Sequence, residues 1–225
     1  EAPVIQSIAR EMVDAGATHL VMEVSSHGLA LHRLRGCAFD VVAFTNLTQD
    51  HLDFHADMAE YAAAKMLLFT EAVADNPNAR AVVNIDDPFG AEIARAFERE
   101  VVRVSCDPAA DADLKPALAP RFGVDGIRAE VKTPWGELAL RSPLIGAHNL
   151  ANLLLAIGIC GELGADLDKC AEGLAAFDAV PGRLQRVPCE EGFTVLVDYA
   201  HTPDALERVL AALRPFTQGR LLCVF

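Results

Sequence analysis

The sequence has little positive charge. Nineteen lysine and arginine side chains stand against 32 acidic ones, which gives a formal net charge of −13 over 225 residues. A surface of this sign repels polyanions, so we expect no nucleic-acid partner whose affinity depends on neutralising phosphates. A small anionic ligand such as a nucleotide is still allowed, because a cation, a few arginines and helix N-termini can hold it locally.

Long apolar runs and closely spaced cysteines are also missing. The longest apolar run, residues 153–160, is too short to span a bilayer, and no basic flank with an apolar core opens the chain. The six cysteines are scattered and include no C-x-x-C pair, which is typical of reduced thiols. These patterns predict a cytoplasmic protein without a membrane anchor.

What the sequence does contain is an alternation of strand-like and helix-like segments. Hydrophobic residues make up 52% of the chain, enough for a sizeable core. Apolar runs predict strands at 19–24, 40–45, 81–85 and 101–105, and helical spacing predicts helices at 3–16, 57–74 and 87–98. Such alternation indicates parallel βαβ units, so we predict an α/β fold with a mostly parallel, doubly wound sheet.

The second half of the chain has a different texture. Residues 107–143 predict a β-hairpin excursion around the Pro134-Trp135-Gly136 turn, and helices follow at 149–163 and 167–177. Val180-Pro181-Gly182 predicts a domain boundary, so we expect domains at 1–180 and 181–225. The second would be the start of a Rossmann-like unit with elements at 193–197, 203–213 and 220–225, and we expect the sequence to be a piece of a longer protein.

Carboxylates and histidines follow the first two predicted strands. Glu23 stands near the end of a run that otherwise reads as buried, where a lone carboxylate is costly unless it is paired or binds a metal. The alternative is a carboxylate that caps the turn at Ser25 and Ser26. Residues 50–55 (DHLDFH) supply oxygen and imidazole donors suited to Mg²⁺, Mn²⁺ or Zn²⁺, or else form a solvated loop.

Lys65 is unusual because the chain has only four lysines and this one falls on the apolar stripe of its predicted helix. An inward lysine must snorkel to solvent, form a pair, lose its proton or be modified. A neutral amine can take up CO₂ to form a carbamate, an anion able to bind a divalent cation. A snorkelling side chain is the simpler reading of the pattern alone.

Two further clusters lie at helix starts. Asn149 and Asn152 are three residues apart at the start of a predicted helix, where amides could read an adenine edge or cap the helix. Asp198 ends an apolar strand just before the helix that begins at Pro203. Its carboxylate could bind ribose hydroxyls or orient a metal-bound phosphate, or it could belong to a turn.

Taken together, several strings resemble the Mur ligases, and most closely the tripeptide synthetases of that family. They occur in one order over nearly the whole chain: MEVSSHGL at 22–29, TNL at 45–47 with DHLD at 50–53, AAAK at 62–65, His148-Asn149 with Asn152, PGR at 181–183, and VDYAHTPDA at 197–205. The resemblance implies the distal part of a P-loop-type central domain followed by the start of a C-terminal ligase domain. It also implies an ATP-dependent ligase of peptidoglycan synthesis that acts through an acyl phosphate.

The resemblance further implies ligands and site residues. The substrates would be UDP-MurNAc-L-Ala-D-Glu, ATP and a diamino acid, either meso-diaminopimelate or L-lysine, and the enzyme would be a monomer. Glu23, His51 and a carbamylated Lys65 would be the catalytic residues and would hold two Mg²⁺ ions. Ser25 and Arg33 would bind the UDP-sugar peptide. The ATP-binding set would be Asn152, Arg183, Asp198 and His201.

Departures from the family pattern limit what this sequence is expected to do. Leu31 stands where a polar substrate contact is expected. The Gly-rich P-loop, the N-terminal UDP-binding domain and most of the C-terminal domain are missing, so we expect the piece not to turn over by itself. Two other readings stay open: a metal-dependent hydrolase that uses residues 50–55, and a nucleotide-binding module without catalysis.

Overall fold

The computed structural model describes residues 2–48 and 54–225. The chain forms two compact units, Glu1–Val104 and Ser105–Phe225. We describe the two units separately as unit 1 and unit 2.

Unit 1 contains a three-stranded parallel sheet. Its strands are β1 (Val41–Phe44), β2 (Arg80–Asn84) and β3 (Val101–Val104), in the order β1-β2-β3. All three were predicted from apolar runs, and their parallel pairing confirms the predicted βαβ character. Side chains of β1 and β2 form the core together with residues of the helices and of the turns after α3: Val42, Phe44, Phe69, Val73, Ala81, Val83 and Ile93.

The described part of unit 1 also contains four α-helices. They are α1 (Ala2–Asp14), α2 (Ser26–Ala30), α3 (Met58–Met66) and α4 (Pro88–Ala96). Asp57 caps α3 by accepting the Glu60 N–H at 2.9 Å, as its position in the sequence predicts. Asp87 caps α4 through the Phe89 N–H at 2.9 Å and also accepts the Leu47 N–H at 2.8 Å, so it ties the residues after β1 to the start of α4.

Two predictions for unit 1 are wrong. The helix predicted at 57–74 ends at Met66 and continues as a 3₁₀ turn, Leu67–Phe69, followed by turns that allow Phe69 and Val73 to enter the core. The strand predicted at 19–24 is extended but belongs to no sheet of the described residues, and Val21 is 85% exposed. A run that is apolar on both faces needs neighbours on both sides, and the described part of unit 1 supplies none.

Gly90 lies in the first turn of α4 and packs directly on the end of β2. A Cβ at this position would lie 1.9 Å from the carbonyl oxygen of Asn84. We therefore expect Gly90→Ala to lower the free energy of unfolding of unit 1 by about 3 kcal/mol, since the helix must move off the strand. Urea unfolding followed by far-UV circular dichroism measures this loss.

Gly173 provides the matched control. It is also a helical glycine, but a Cβ added there would meet no atom within 4 Å. Gly173→Ala is expected to leave stability unchanged or raise it by about 0.5–1 kcal/mol. Similar effects of the two substitutions would contradict the close approach of Gly90 to β2.

Unit 2 begins with an antiparallel sheet. Strand β6 (Gly126–Thr133) pairs on one side with β4 (Lys115–Pro116) and β5 (Arg121–Gly123), and on the other with β7 (Gly136–Ser142). The β6–β7 hairpin turns at Pro134-Trp135-Gly136, which confirms the predicted excursion.

The rest of unit 2 consists of helices and a small two-stranded sheet. Helices α5 (Ala147–Glu162) and α6 (Leu167–Ala176) are followed by antiparallel strands β8 (Gln185–Val187) and β9 (Val195–Val197), and then by α7 (Pro203–Leu213). Strand β8 was not predicted. The strand predicted at 220–225 is wrong: Phe225 is 101% exposed, and no described strand pairs with this segment.

Two features of the composition can be checked against the structure. The six cysteines are all free thiols. Of the helices in residues 2–48 and 54–225, none is both long and apolar enough to cross a membrane.

Candidate nucleotide and substrate site

The start of α5 carries the amides that the sequence singled out. Gly146 is the N-cap residue, with φ +96°, and has no side chain to cap the helix. Asn149 is buried, and its Nδ2 donates a hydrogen bond to the carbonyl oxygen of Ile145 at 2.8 Å. Asn152 is exposed, and its Nδ2 lies 3.4 Å from Asn149 Oδ1. Asn149 therefore supports the helix start, while Asn152 presents an amide at the surface.

A tight turn places Arg183 beside an aromatic ring. The Arg183 N–H donates to the carbonyl oxygen of Val180 at 3.0 Å, and Gly182 adopts φ +70°. Pro181 followed by a glycine with positive φ is typical of a type II turn. The Arg183 guanidinium carbon lies 5.7 Å from the ring centroid of Tyr199, which is 67% exposed. The pair forms an open cation–π surface.

Asp198 joins this turn to the end of β9. One carboxylate oxygen accepts the Leu184 N–H at 2.8 Å, and the other accepts the Ala200 N–H at 2.8 Å. Asp198 therefore belongs to a turn, which was the alternative to a ligand role. Each oxygen keeps a second lone pair, so the same carboxylate can still accept a hydrogen bond from a ligand.

His201 lies on the opposite side of Tyr199 in sequence from Asp198. Its Nδ1 is 2.8 Å from the Tyr199 carbonyl oxygen, and the two rings meet edge to face at 4.9 Å. A carbonyl oxygen can only accept, so Nδ1 carries a hydrogen. Three of the four predicted ATP-binding residues, Arg183, Asp198 and His201, are thereby brought together around Tyr199.

His148 brings the start of α5 close to this cluster. A Cβ on Gly146 would lie 2.7 Å from the His148 ring and 3.6 Å from the buried Leu184, whose N–H is bound by Asp198. Burial lowers the pKa of His148 below its usual 6.5, and the charge of Asp198 partly opposes this. The residue as a whole is exposed, so solvent limits the size of the shift.

The lowered pKa of His148 predicts how stability depends on pH. The unfolded chain takes up a proton near pH 6.5 more readily than the folded one, so this contribution to stability is present above pH 6.5 and is lost as the pH falls through the lower folded pKa. We expect His148→Gln to weaken the acid-induced loss of stability of unit 2. Unfolding monitored by fluorescence of Trp135, the one tryptophan in the chain, at about pH 7.5 and about pH 5.5 measures it. An unchanged pH dependence would contradict the assignment.

Three of the predicted site residues, Glu23, Ser25 and Arg33, flank α2. Glu23 is exposed in the extended segment before this helix, so the expectation of a carboxylate at the end of a buried strand is wrong. Ser25 is the N-cap residue and accepts the Gly28 N–H at 3.1 Å. The cap of this turn is therefore serine and not Glu23. Arg33 is exposed, as is Leu31, at 50%.

Lys65 lies on the partly buried face of α3, as its stripe predicts. Tyr61 and Phe69 on the same stripe are each 5% exposed, and Lys65 is half-buried. Its Nζ lies 5.1 Å from the ring centroid of Tyr61. The amine thus lies over an aromatic ring, in the geometry of a cation–π contact.

His51 lies outside the described residues, together with the rest of 49–53. Of the DHLDFH cluster, only Phe54 and His55 are described. His55 is 1% exposed and bonds to Ser26, so it does not face solvent as a metal ligand would. Within residues 2–48 and 54–225, no group of three histidine, cysteine or acidic side chains could hold a metal ion.

A cleft of unit 1 lies next to α2. It has a volume of about 410 Å³ and is lined by α2, the turn after it and residues that follow α3, with His32 and Glu71 among its walls. Glu23, Ser25, Arg33 and Lys65, the predicted site residues of unit 1 that the structure describes, do not line it.

Sequence reasoning missed the roles of three residues. Tyr199 and His148 fell within quoted motifs but were assigned no function, and His55 was considered only as part of the metal cluster. An aromatic residue directly after a strand-end aspartate was a usable signal for Tyr199. The contact between His55 and Ser26 joins residues 29 positions apart, which no local pattern reveals.

The chain belongs to the Mur ligase family. Three observations agree with this class: the parallel α/β unit, the polar cluster at the start of α5 and the order of the motifs along the sequence. The family model described as the Mur ligase middle domain matches residues 1–160. A second, described as the Mur ligase glutamate ligase domain, matches residues 182–225.

Particular members of the family are closely similar. The UDP-N-acetylmuramoyl-L-alanyl-D-glutamate--2,6-diaminopimelate ligase of Gloeobacter violaceus is 49% identical over 222 residues, covering 98% of this chain and 44% of the relative. The enzyme of the same name from Geobacter metallireducens is 45% identical over 224 residues, covering 98% and 43%. The chain therefore spans less than half the length of the curated relatives it matches.

Solved structures share the fold of this chain. A structure of a UDP-N-acetylmuramoyl-L-alanyl-D-glutamate--2,6-diaminopimelate ligase superposes with a TM-score of 0.80 at 31% identity, covering 94% of this chain and 43% of that one. A folylpolyglutamate synthase from Mycobacterium tuberculosis, in complex with ADP and AMPPCP, superposes with a TM-score of 0.61 at 28% identity, covering 78% and 39%. The predicted α/β fold is confirmed.

Proposed function

We propose that this chain is part of an ATP-dependent ligase that adds diaminopimelate to UDP-MurNAc-L-Ala-D-Glu. The observation that carries the proposal is the cluster of Arg183, Asp198 and His201 around Tyr199, in a chain of this family. The names of relatives that match 98% of the chain support diaminopimelate over L-lysine as the third amino acid.

The reaction forms an amide bond in two steps. The substrate carboxylate takes the γ-phosphoryl group of ATP to give an acyl phosphate and ADP, and the amine of diaminopimelate then displaces phosphate. Positioning and charge stabilisation supply most of the catalysis in such phosphoryl transfers. Arg183 offers a cation beside an aromatic face, and Asp198 has lone pairs left for ribose hydroxyls. Asn152 and His201 complete the proposed ATP-binding set.

In unit 1 we assign Ser25 and Arg33 to the UDP-sugar peptide. Both side chains are exposed and flank α2, where a ligand can reach them. Ser25 already accepts a hydrogen bond from the Gly28 N–H, so its hydroxyl hydrogen remains for a ligand oxygen. Leu31 lies between them and contributes no hydrogen bond from its side chain, as the departure from the family pattern predicts.

Two Mg²⁺ ions belong to the proposed chemistry, and the fit of the described residues to them is partial. Glu23 is an exposed carboxylate, a donor suited to Mg²⁺, whereas Lys65 becomes a ligand only as a carbamate. We propose Glu23, His51 and carbamylated Lys65 as the ligands. When bound, the ions would offset the repulsion between the carboxylate and the γ-phosphate.

The remaining assignments follow from the proposed reaction. We place the enzyme in the cytoplasm, since its substrates are a nucleotide-linked precursor, ATP and an amino acid, and we keep a monomer as the proposed state. We also retain the boundary between domains at residues 180 and 181. This boundary lies between the two family matches: the first ends at residue 160 and the second begins at residue 182.

The test is an assay of the protein encoded by the full coding sequence that contains these residues. We expect release of ADP that requires both UDP-MurNAc-L-Ala-D-Glu and meso-diaminopimelate, and a product heavier by one diaminopimelate residue. L-lysine in place of diaminopimelate is expected to give much slower release. Hydrolysis without ATP, or ATP binding without ligation, would contradict the proposal.

The same assay distinguishes the ligase from the two other functions that the sequence left open. A metal-dependent hydrolase built on residues 50–55 is not supported, because His55 points into the protein and the relatives are named as ligases. A nucleotide-binding module without catalysis is likewise not supported by those names.

A further inference from the structure

His55 is a fully buried histidine in the segment that leads into α3. It is 1% exposed, although it comes just after the residues around His51 and just before the N-cap residue Asp57. Its Nε2 lies 2.9 Å from the hydroxyl oxygen of Ser26, which is also 1% exposed. Two buried polar groups thus satisfy each other across 29 residues of sequence.

The His55 ring also contacts the helix that carries Lys65. It stacks on the ring of Tyr61, with centroids 5.3 Å apart and planes inclined by 26°. On the same Tyr61 ring lies Lys65 Nζ, 5.1 Å from the centroid. Since Ser26 follows Ser25 directly, His55 connects the Ser25–Ser26 turn on one side with the Tyr61–Lys65 face of α3 on the other.

Packing alone does not explain a histidine at this position. Its Nδ1 is buried and has no hydrogen-bond partner among the residues that the structure describes. An unpaired buried nitrogen destabilises a fold, and an aromatic hydrocarbon ring would fill similar space without that penalty. The feature that such a ring would lack is the hydrogen bond to Ser26, which holds α2 in one orientation relative to α3.

We propose that His55 is a positioning residue for the ligase reaction. Through Ser26 it fixes the turn that carries Ser25, and through Tyr61 it fixes the face of α3 that carries Lys65. This inference rests on the proposed function, in which Ser25 binds the UDP-sugar peptide and Lys65 lies at its reacting carboxylate. Displacement of such groups by about 1 Å can lower a rate about 100-fold.

The test uses the full-length ligase and two substitutions that remove the same hydrogen bond. His55→Phe keeps a ring against Tyr61, and Ser26→Ala removes only the hydroxyl. We expect each to lower kcat/KM for UDP-MurNAc-L-Ala-D-Glu by about 10- to 100-fold, with the KM for ATP within about twofold of wild type. The double variant is expected to be no worse than either single variant, because both delete one interaction.

A conservative variant and a control separate positioning from folding. His55→Gln can still bond to the Ser26 hydroxyl and is expected to recover most of the activity. Thr70→Val removes an exposed hydrogen bond to the Met66 carbonyl and is expected to change nothing. Thermal unfolding checks every variant, and Ser26→Ala carries the test if His55→Phe does not fold.

Two results would overturn the inference: folded variants with wild-type kcat/KM, or equal losses for ATP and for the muramoyl substrate. Failure of the proposed function looks different, since wild-type enzyme would then give no ligation at all.

Discussion

Replacing Asp198 by alanine is expected to lower the free energy of unfolding of unit 2 by about 3 kcal/mol, because two charge-assisted hydrogen bonds are lost together. The carboxylate accepts the N–H groups of Leu184 and Ala200, both at 2.8 Å. Leu184 is 4% exposed, and its φ of +45° is uncommon for leucine. The N–H of Leu184 is therefore left without an acceptor in a backbone conformation that needs outside support.

Urea unfolding monitored by Trp135 fluorescence measures this loss. Trp135 lies in unit 2, where its ring packs directly on Gly161 of α5. Asp198→Asn retains one acceptor oxygen and is expected to lose about half as much. Asp178→Ala removes an exposed carboxylate of the same unit and is expected to change stability by less than about 0.5 kcal/mol.

The same variants test the contact with His148. Because the Asp198 charge raises the pKa of His148 against the effect of burial, removal of that charge is expected to lower the pKa further. NMR titration of the His148 ring protons in wild type and Asp198→Asn measures the change. An unchanged pKa, or a loss of stability no larger than that of Asp178→Ala, would contradict the central place of Asp198 in this cluster.

Much of the fold could be predicted because its signals are local. The N-caps at Asp57 and Asp87 and the proline at the start of α7 come directly from preferences for helix starts. Strands β1 to β3 are short apolar runs between polar loops, and their parallel order follows from the helices between them. In these elements the local preference and the tertiary contacts favour the same conformation.

The errors occur where the outcome depends on partners distant in sequence. Residues 19–24 and 220–225 have the composition of buried strands, yet Val21 and Phe225 are exposed. Apolar composition indicates that a segment can be buried, but a strand also needs a neighbouring strand whose backbone hydrogen-bonds to its own. Strand β8 is the opposite case. Its largely polar sequence does not predict a strand, yet its backbone pairs with β9.

In the candidate site, too, local features could be predicted and long-range contacts could not. The motif strings identified which residues to examine, and their residue types indicated nucleotide chemistry. The contacts that organise those residues are long-range or involve the backbone, such as the Asp198 carboxylate on the Leu184 N–H. Spacing alone could not decide between a ligand role and a turn role for Asp198, and the structure shows that the turn role is filled while acceptor capacity remains.

Replacing Lys65 by alanine in the full-length ligase is expected to lower kcat by at least about 100-fold, because an anionic ligand near the reacting carboxylate would be lost. Short-chain carboxylic acids are expected to restore part of the activity, since a carboxylate can occupy the space of the carbamate. Lys65→Arg keeps the positive charge but cannot form a carbamate, and we expect it to be inactive without rescue. Lys169→Ala, at an exposed lysine of α6, is the control and is expected to retain full activity.

The position of Lys65 adds a second readout that does not depend on turnover. Its Nζ lies 5.1 Å from the Tyr61 ring centroid, a distance at which an ammonium and a ring face attract each other. A carbamate reverses the charge and repels the ring face, so it forms only where bound cations compensate. We therefore expect a ¹³C NMR carbamate signal from ¹³C-labelled bicarbonate that grows when Mg²⁺ and ATP are added and is absent in Lys65→Arg. An ammonium that persists with Mg²⁺ and ATP bound, together with an active Lys65→Ala enzyme, would show that Lys65 only stacks on Tyr61.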